Sequence, residues 1–83
     1  MKEKIIDAVG NKFDELNIFI DSVTYEKVDG ENTLTIVLDS EDFIPLNIVV
    51  MATRILNPIL DKLDLIEESY TLDVYAKEKG DVE

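Results

Sequence analysis

Asp39, Glu41 and Asp42 form the densest carboxylate group in the sequence, and carboxylates this close can hold a hard cation or divide acid and base roles between them. Calcium takes about six to eight oxygens, usually with a glycine that turns the loop back and a bidentate glutamate farther on. The stretch Ser40-Glu41-Asp42 has no such glycine, and no glutamate follows at that spacing. Solvated loop charges are the better reading. Asp29 and Glu31 flank Gly30 in the same manner, a turn former beside a surface charge. A carboxylate pair does acid–base work when burial drives the two pKa values apart, and no acidic pair here lies in an apolar run that would bury it.

The sequence contains no cysteine and no histidine. Thiolate nucleophiles, imidazole bases, disulfides and the usual zinc ligands are thereby removed together. No phosphate-cradling P-loop, nucleophile elbow or dinucleotide fingerprint is present. The expectation is a protein that is not an enzyme, with no catalytic residue, no metal ligand and no cofactor.

Charge speaks more directly about partners. The 83 residues carry a net charge of −11, and the eight basic residues (Lys2, Lys4, Lys12, Lys27, Arg54, Lys62, Lys77 and Lys79) are dispersed. Nucleic-acid affinity rests largely on phosphates neutralised by clustered Lys and Arg. Stand-alone binding to DNA or RNA is therefore disfavoured, an anionic membrane would repel the chain, and a basic protein is the electrostatically permitted partner. The longest uncharged run, Phe43 to Thr53, is far short of the roughly 20 apolar residues of a membrane helix. The acids among residues 1–20 do not suit a signal peptide. A soluble, cytoplasmic protein is expected.

The element that must position any surface is Leu46 to Leu60, LNIVVMATRILNPIL. Ile48, Met51, Ala52, Ile55, Leu56 and Ile59 recur at helical spacing, and Asn47 is placed to cap the first turn. Pro58 clashes with the carbonyl of Arg54 and should bend or tighten the helix, ending it near Asp61. Val50 lies nearly opposite that stripe, with Val49 and Leu60 at its edge. Either the stripe is wide with one stray valine, or these residues form an exposed apolar strip that takes a partner.

Residues 2–16 place Ile5, Ile6, Val9, Phe13 and Leu16 at helical spacing, with Gly10 a local weak point. Asn17 ends that helix and residues 18–28 read as a strand. A bulge near Asp21-Ser22 would let Ile18 and Ile20 reach the core along with Val23 and Tyr25. Asp29-Gly30-Glu31-Asn32 signals a hairpin turn. In the next strand, Thr33 to Asp39, Leu34, Ile36 and Leu38 alternate inward against Thr33, Thr35 and Val37. Leu65 and Ile66 anchor a connector to a third strand, Tyr70 to Ala76, with Tyr70, Leu72, Val74 and Ala76 on its core face. Residues 1–76 form one domain in this reading, and 77–83 an acidic tail expected to fray.

The order is α-β-β-α-β. A helix linking two strands of one sheet normally makes them parallel. The expected architecture is an α+β, two-layer sandwich: a three-stranded mixed sheet with two helices on one face. The strand order 2-1-3, with the long first strand in the middle, is preferred over 1-2-3.

Several short motifs then fall into register with a known family. Ile36-Val37-Leu38-Asp39, Leu46-Asn47, Thr53-Arg54, Asn57-Pro58-Ile59-Leu60-Asp61, Asp64-Leu65-Ile66 and Tyr70-Thr71-Leu72-Asp73-Val74 resemble, in order and spacing, the N-terminal domain of the ribosome maturation factor RimP family. The sequence departs from that pattern at Ile48-Val49-Val50, where the family continues an acidic helix start, and at Tyr75-Ala76-Lys77-Glu78-Lys79-Gly80, where a Ser-Ser-Pro-Gly segment is usual. The family's second, barrel-like domain has no counterpart in these residues, so a stand-alone first domain is expected. The resemblance implies a factor that binds the free small ribosomal subunit, assists its late assembly, and contacts a basic ribosomal protein and nearby rRNA. The residues expected to meet such a partner are Asp39, Glu41, Asp42, Val49, Val50 and Arg54. The other reading is an acidic homo-oligomeric or partner-binding module of divergent, non-ribosomal role.

Overall fold

A computed structural model describes residues 1–77. Helix α1 spans Lys2–Val9, a single 3-10 turn covers Asp14–Leu16, and strands β1 (Phe19–Val28) and β2 (Glu31–Asp39) form a hairpin. Helix α2 (Leu46–Leu63) and strand β3 (Thr71–Ala76) complete the order.

Gly10 ends α1. Its φ of 57° and ψ of −124° lie where a Cβ is unwelcome, so the chain turns there instead of continuing to Leu16 as the periodicity predicts. The apolar spacing still places its residues: Ile5, Val9 and Phe13 are all buried. Asn17 then takes a left-handed conformation (φ 59°, ψ 38°) and launches β1, as expected.

The hairpin turn is two residues long, Asp29 and Gly30, both at positive φ, which matches the twist of the strands they join. The pairing shifts register between Ile20 and Ser22, so Asp21 is the extra residue of a bulge. That bulge allows Ile18 and Ile20 to be buried on one side of it while Val23 packs against the core on the other. Lys2 Nζ donates to the Asp21 carbonyl at 3.1 Å, and Lys77 Nζ lies 3.7 Å from Asp21 Oδ1, so the bulge is held from two directions.

The sheet order is β1-β2-β3, antiparallel then parallel, which corrects the expected 2-1-3. The physical reason is visible along the strands. Leu34, Ile36 and Leu38 of β2 are at most 1% exposed, and its alternate residues Thr33, Thr35 and Val37 are half-buried. By contrast, Thr24 to Val28 of β1 are all exposed, as suits an edge.

Helix α2 runs through Pro58 to Leu63 and stops at Asp64, which is left-handed (φ 50°), so the expected end at Asp61 is two residues short. Pro45, not Asn47, is the cap residue, and its carbonyl accepts from Ile48 N–H at 3.0 Å. The most buried line is Val49, Ala52, Leu56 and Leu60, with Ile48, Ile55 and Ile59 beside it, whereas Met51 is exposed. These side chains join those of α1 and of the Leu34-Ile36-Leu38 face in one core. Among the described residues, no helix is long and apolar enough to cross a membrane.

Lys77, the first residue of the expected tail, donates its backbone N–H to Leu38 O at 2.7 Å. The rest of that tail lies outside the described residues.

Candidate functional site

The acidic loop between β2 and α2 is built around two inward anchors. Ser40 is only 8% exposed: Asp39 Oδ1 accepts from its backbone N–H at 2.7 Å, and its Oγ accepts from Asp42 N–H at 3.2 Å. Such short side-chain-to-backbone bonds close a turn without help from a neighbouring strand. Ile44, at the other end, is buried in the core. With both ends tied down, the residues between them face water. Glu41 and Asp42 are exposed, and Phe43 is 69% exposed.

Across from this loop lies the segment that leads into β1. A cleft of about 490 Å³ separates the two, lined by Asp14, Asn17 and Phe19 on one wall and Ser40, Glu41 and Asp42 on the other. A smaller hollow of about 170 Å³ continues from it beneath Phe43 and Pro45. Phe19 is exposed for a reason rooted in parity. Its neighbours Ile18 and Ile20 are both buried, so the residue between them must point away.

The helix extends this surface. Leu46 is 76% exposed, and Val50 and Arg54 follow it at i+4 and i+8 on one ridge, both exposed, with Met51 beside them. Arg54 thus lies about 12 Å along the helix from Leu46.

The structure therefore brings Glu41 and Asp42 to one rim and sets Val50 and Arg54 along the adjoining helix. Asp39 is half-buried and occupied by the Ser40 turn. Val49 departs from the expected strip: it sits in the core, one position around the helix from Val50, because the buried line of α2 is centred on Val49 and Leu56. Leu60 is in the core as well. Four exposed apolar residues of this surface were absent from the predicted set: Phe19, Phe43, Leu46 and Met51. Phe19 could have been found by strand parity. Phe43 needed knowledge that Ile44 is the buried neighbour.

A larger hollow, about 850 Å³, lies elsewhere, between the end of α1 and the second half of α2. Its floor includes Ile55, Ile59 and Leu63, and its walls carry Lys12 and Lys62 together with Asp14 and Glu15. Charges of both signs around an open apolar floor select no ligand class. Among the described residues no group of three or more metal-ligating side chains comes together.

Residues 8–76 match the model of the RimP N-terminal domain. The chain belongs to that family. The matched segment takes in the end of α1, all three strands and α2, so every wall of the cleft falls within the RimP N-terminal domain. Membership ties the chain to ribosome maturation, the process for which the family is named.

Proposed function

We propose that this chain is a cytoplasmic RimP-like assembly factor of the small ribosomal subunit that works by docking onto a basic ribosomal protein and transforms no substrate. The family match over residues 8–76 carries the reading. The net charge of −11 supports it, because ribosomal proteins that contact rRNA are basic and would be steered to an acidic face. The dispersal of the eight basic residues argues against direct rRNA binding by this chain alone. In this reading Asp39, Glu41, Asp42, Val50 and Arg54 belong to the docking face, with Val49 supporting it from below.

Sedimentation of the tagged protein with purified small subunits tests the proposal. Co-migration at moderate salt is expected, weakened about tenfold by the double charge reversal Glu41→Lys/Asp42→Lys, in line with the sensitivity of steered complexes to rim charge. Absence of co-migration, together with a concentration-dependent dimer in ultracentrifugation, would replace it with the self-associating module.

A further inference from the structure

We infer that the end of the molecule around Phe43 and Leu46 is an apolar anchor site for a basic polypeptide segment, one that presents a large apolar side chain among its Lys and Arg residues. This deepens the proposed function by naming the recognition element, and it rests on that reading only for the identity of the partner.

Two features point the same way. Phe43 and Leu46 are the most exposed large apolar residues described, at 69% and 76%, with Phe19, Val50 and Met51 also exposed. Single exposed apolar residues are ordinary, but several clustered at one end of a small domain mark a contact. Their exposure is also imposed by structure. The Ser40 turn and the buried Ile44 hold Phe43 outward, and the extended Pro45 (φ −71°, ψ 160°) delivers Leu46 to the first turn of α2. An anchor site fixed in this way has little entropy left to lose on binding.

Charge selects the occupant. Asp14, Glu41 and Asp42 rim the cleft that Phe19 also lines, and Asp42 lines the smaller hollow together with Phe43. Of the cations toward this end, Lys2 and Lys77 are both directed at Asp21, and the exposed Arg54 stands about 12 Å along α2 from Leu46. A second copy would bring the same acids and its own charge of −11 against them. A nucleic acid or an anionic lipid surface would be repelled for the same reason. A basic segment gains both ways: its apolar residue covers Phe43 and Leu46 while its cations meet the rim.

The test uses two synthetic peptides of equal charge, both rich in Lys and Arg, one carrying a Leu and a Trp and the other Ser at those two positions. Each is titrated into the isotope-labelled protein and followed by amide chemical shifts. The apolar peptide should bind at least about tenfold more tightly, with shifts concentrated at residues 17–19 and 40–50. The variant Phe43→Ser/Leu46→Ser, which removes only exposed side chains and should keep its fold by circular dichroism, should abolish that preference. Equal binding of the two peptides would overturn the inference, as would shifts centred on the hollow between the helices. So would a dimer in the unmodified protein that the same variant dissolves. Small-subunit sedimentation separates the two claims. If it persists in the variant while the two peptides bind equally, the anchor is wrong and the assembly role stands. If the peptide preference holds without any subunit binding, the anchor stands and the ribosomal partner is wrong.

Discussion

The Tyr25 hydroxyl donates to Glu68 Oε1 at 3.1 Å, joining β1 to the connector that precedes β3 across 43 positions of sequence. Asn32 Nδ2 donates to Ser69 O at 3.3 Å and adds a second tie between the hairpin and that connector.

Alkaline pH should loosen this end of the molecule. Loss of solvation, the hydrogen bond to Glu68 and its negative charge all push the Tyr25 phenol above its ordinary 10.0. Burial, with Asp61 and Asp64 behind it, does the same to Tyr70. A raised phenol pKa means the folded state favours the neutral form. The stabilisation is whole below about pH 10 and is lost as pH rises through the raised folded value. Urea midpoints measured across this range should hold steady and then fall, and the double variant Tyr25→Phe/Tyr70→Phe should fall less. Identical pH profiles for variant and parent would contradict the assignment.

Gly10→Ala separates two accounts of the first helix. Were residues 2–16 one helix, alanine would stabilise it by about 1 kcal/mol. At the observed φ of 57° and ψ of −124° the same substitution should cost about 1–3 kcal/mol in backbone strain. The added Cβ would meet nothing closer than the Asp7 carbonyl at 3.8 Å, so the cost is conformational and not steric. The sign of the change in thermal midpoint decides.

Paired truncations on α2 test which way it faces. Leu56 is fully buried, and Leu56→Ala should cost about 2–5 kcal/mol, a large part of the stability of a domain this size. Met51 is 45% exposed, and Met51→Ala should stay within about 0.5 kcal/mol. Comparable losses from the two, read by urea denaturation, would mean the helix is turned toward Met51.

Much of this architecture was legible because few residues set it. Asp29-Gly30 signalled the hairpin, the parity conflict between Ile20 and Val23 called for a bulge near Asp21-Ser22, and the link through one helix made β2 and β3 parallel. Strand order was not legible by length, since the longest strand proved to be an edge. The better signal was polarity: β1 carries Asp21, Glu26 and Lys27, while β2 between Thr33 and Leu38 carries no charge. The facing of α2 was obscured by apolar residues on more than half its circumference, which fit two stripes sharing Ala52 and Leu56. At the candidate surface, sequence located the acids of the loop. It missed Phe43 and Leu46 because their exposure follows from where Ser40 and Ile44 are anchored, a tertiary fact.

The placement of β2 also has a temporal side. One flank of this strand meets a partner two residues away through Asp29-Gly30, whereas the other waits for Thr71 to Ala76, separated from it by an entire helix. Nearby pairings close in microseconds, and distant ones must first overcome the cost of gathering the intervening chain. The hairpin is thus the natural seed, and β3 the last strand to zip and the first to peel. Amide exchange should rank the strands accordingly, fastest along Thr71 to Ala76.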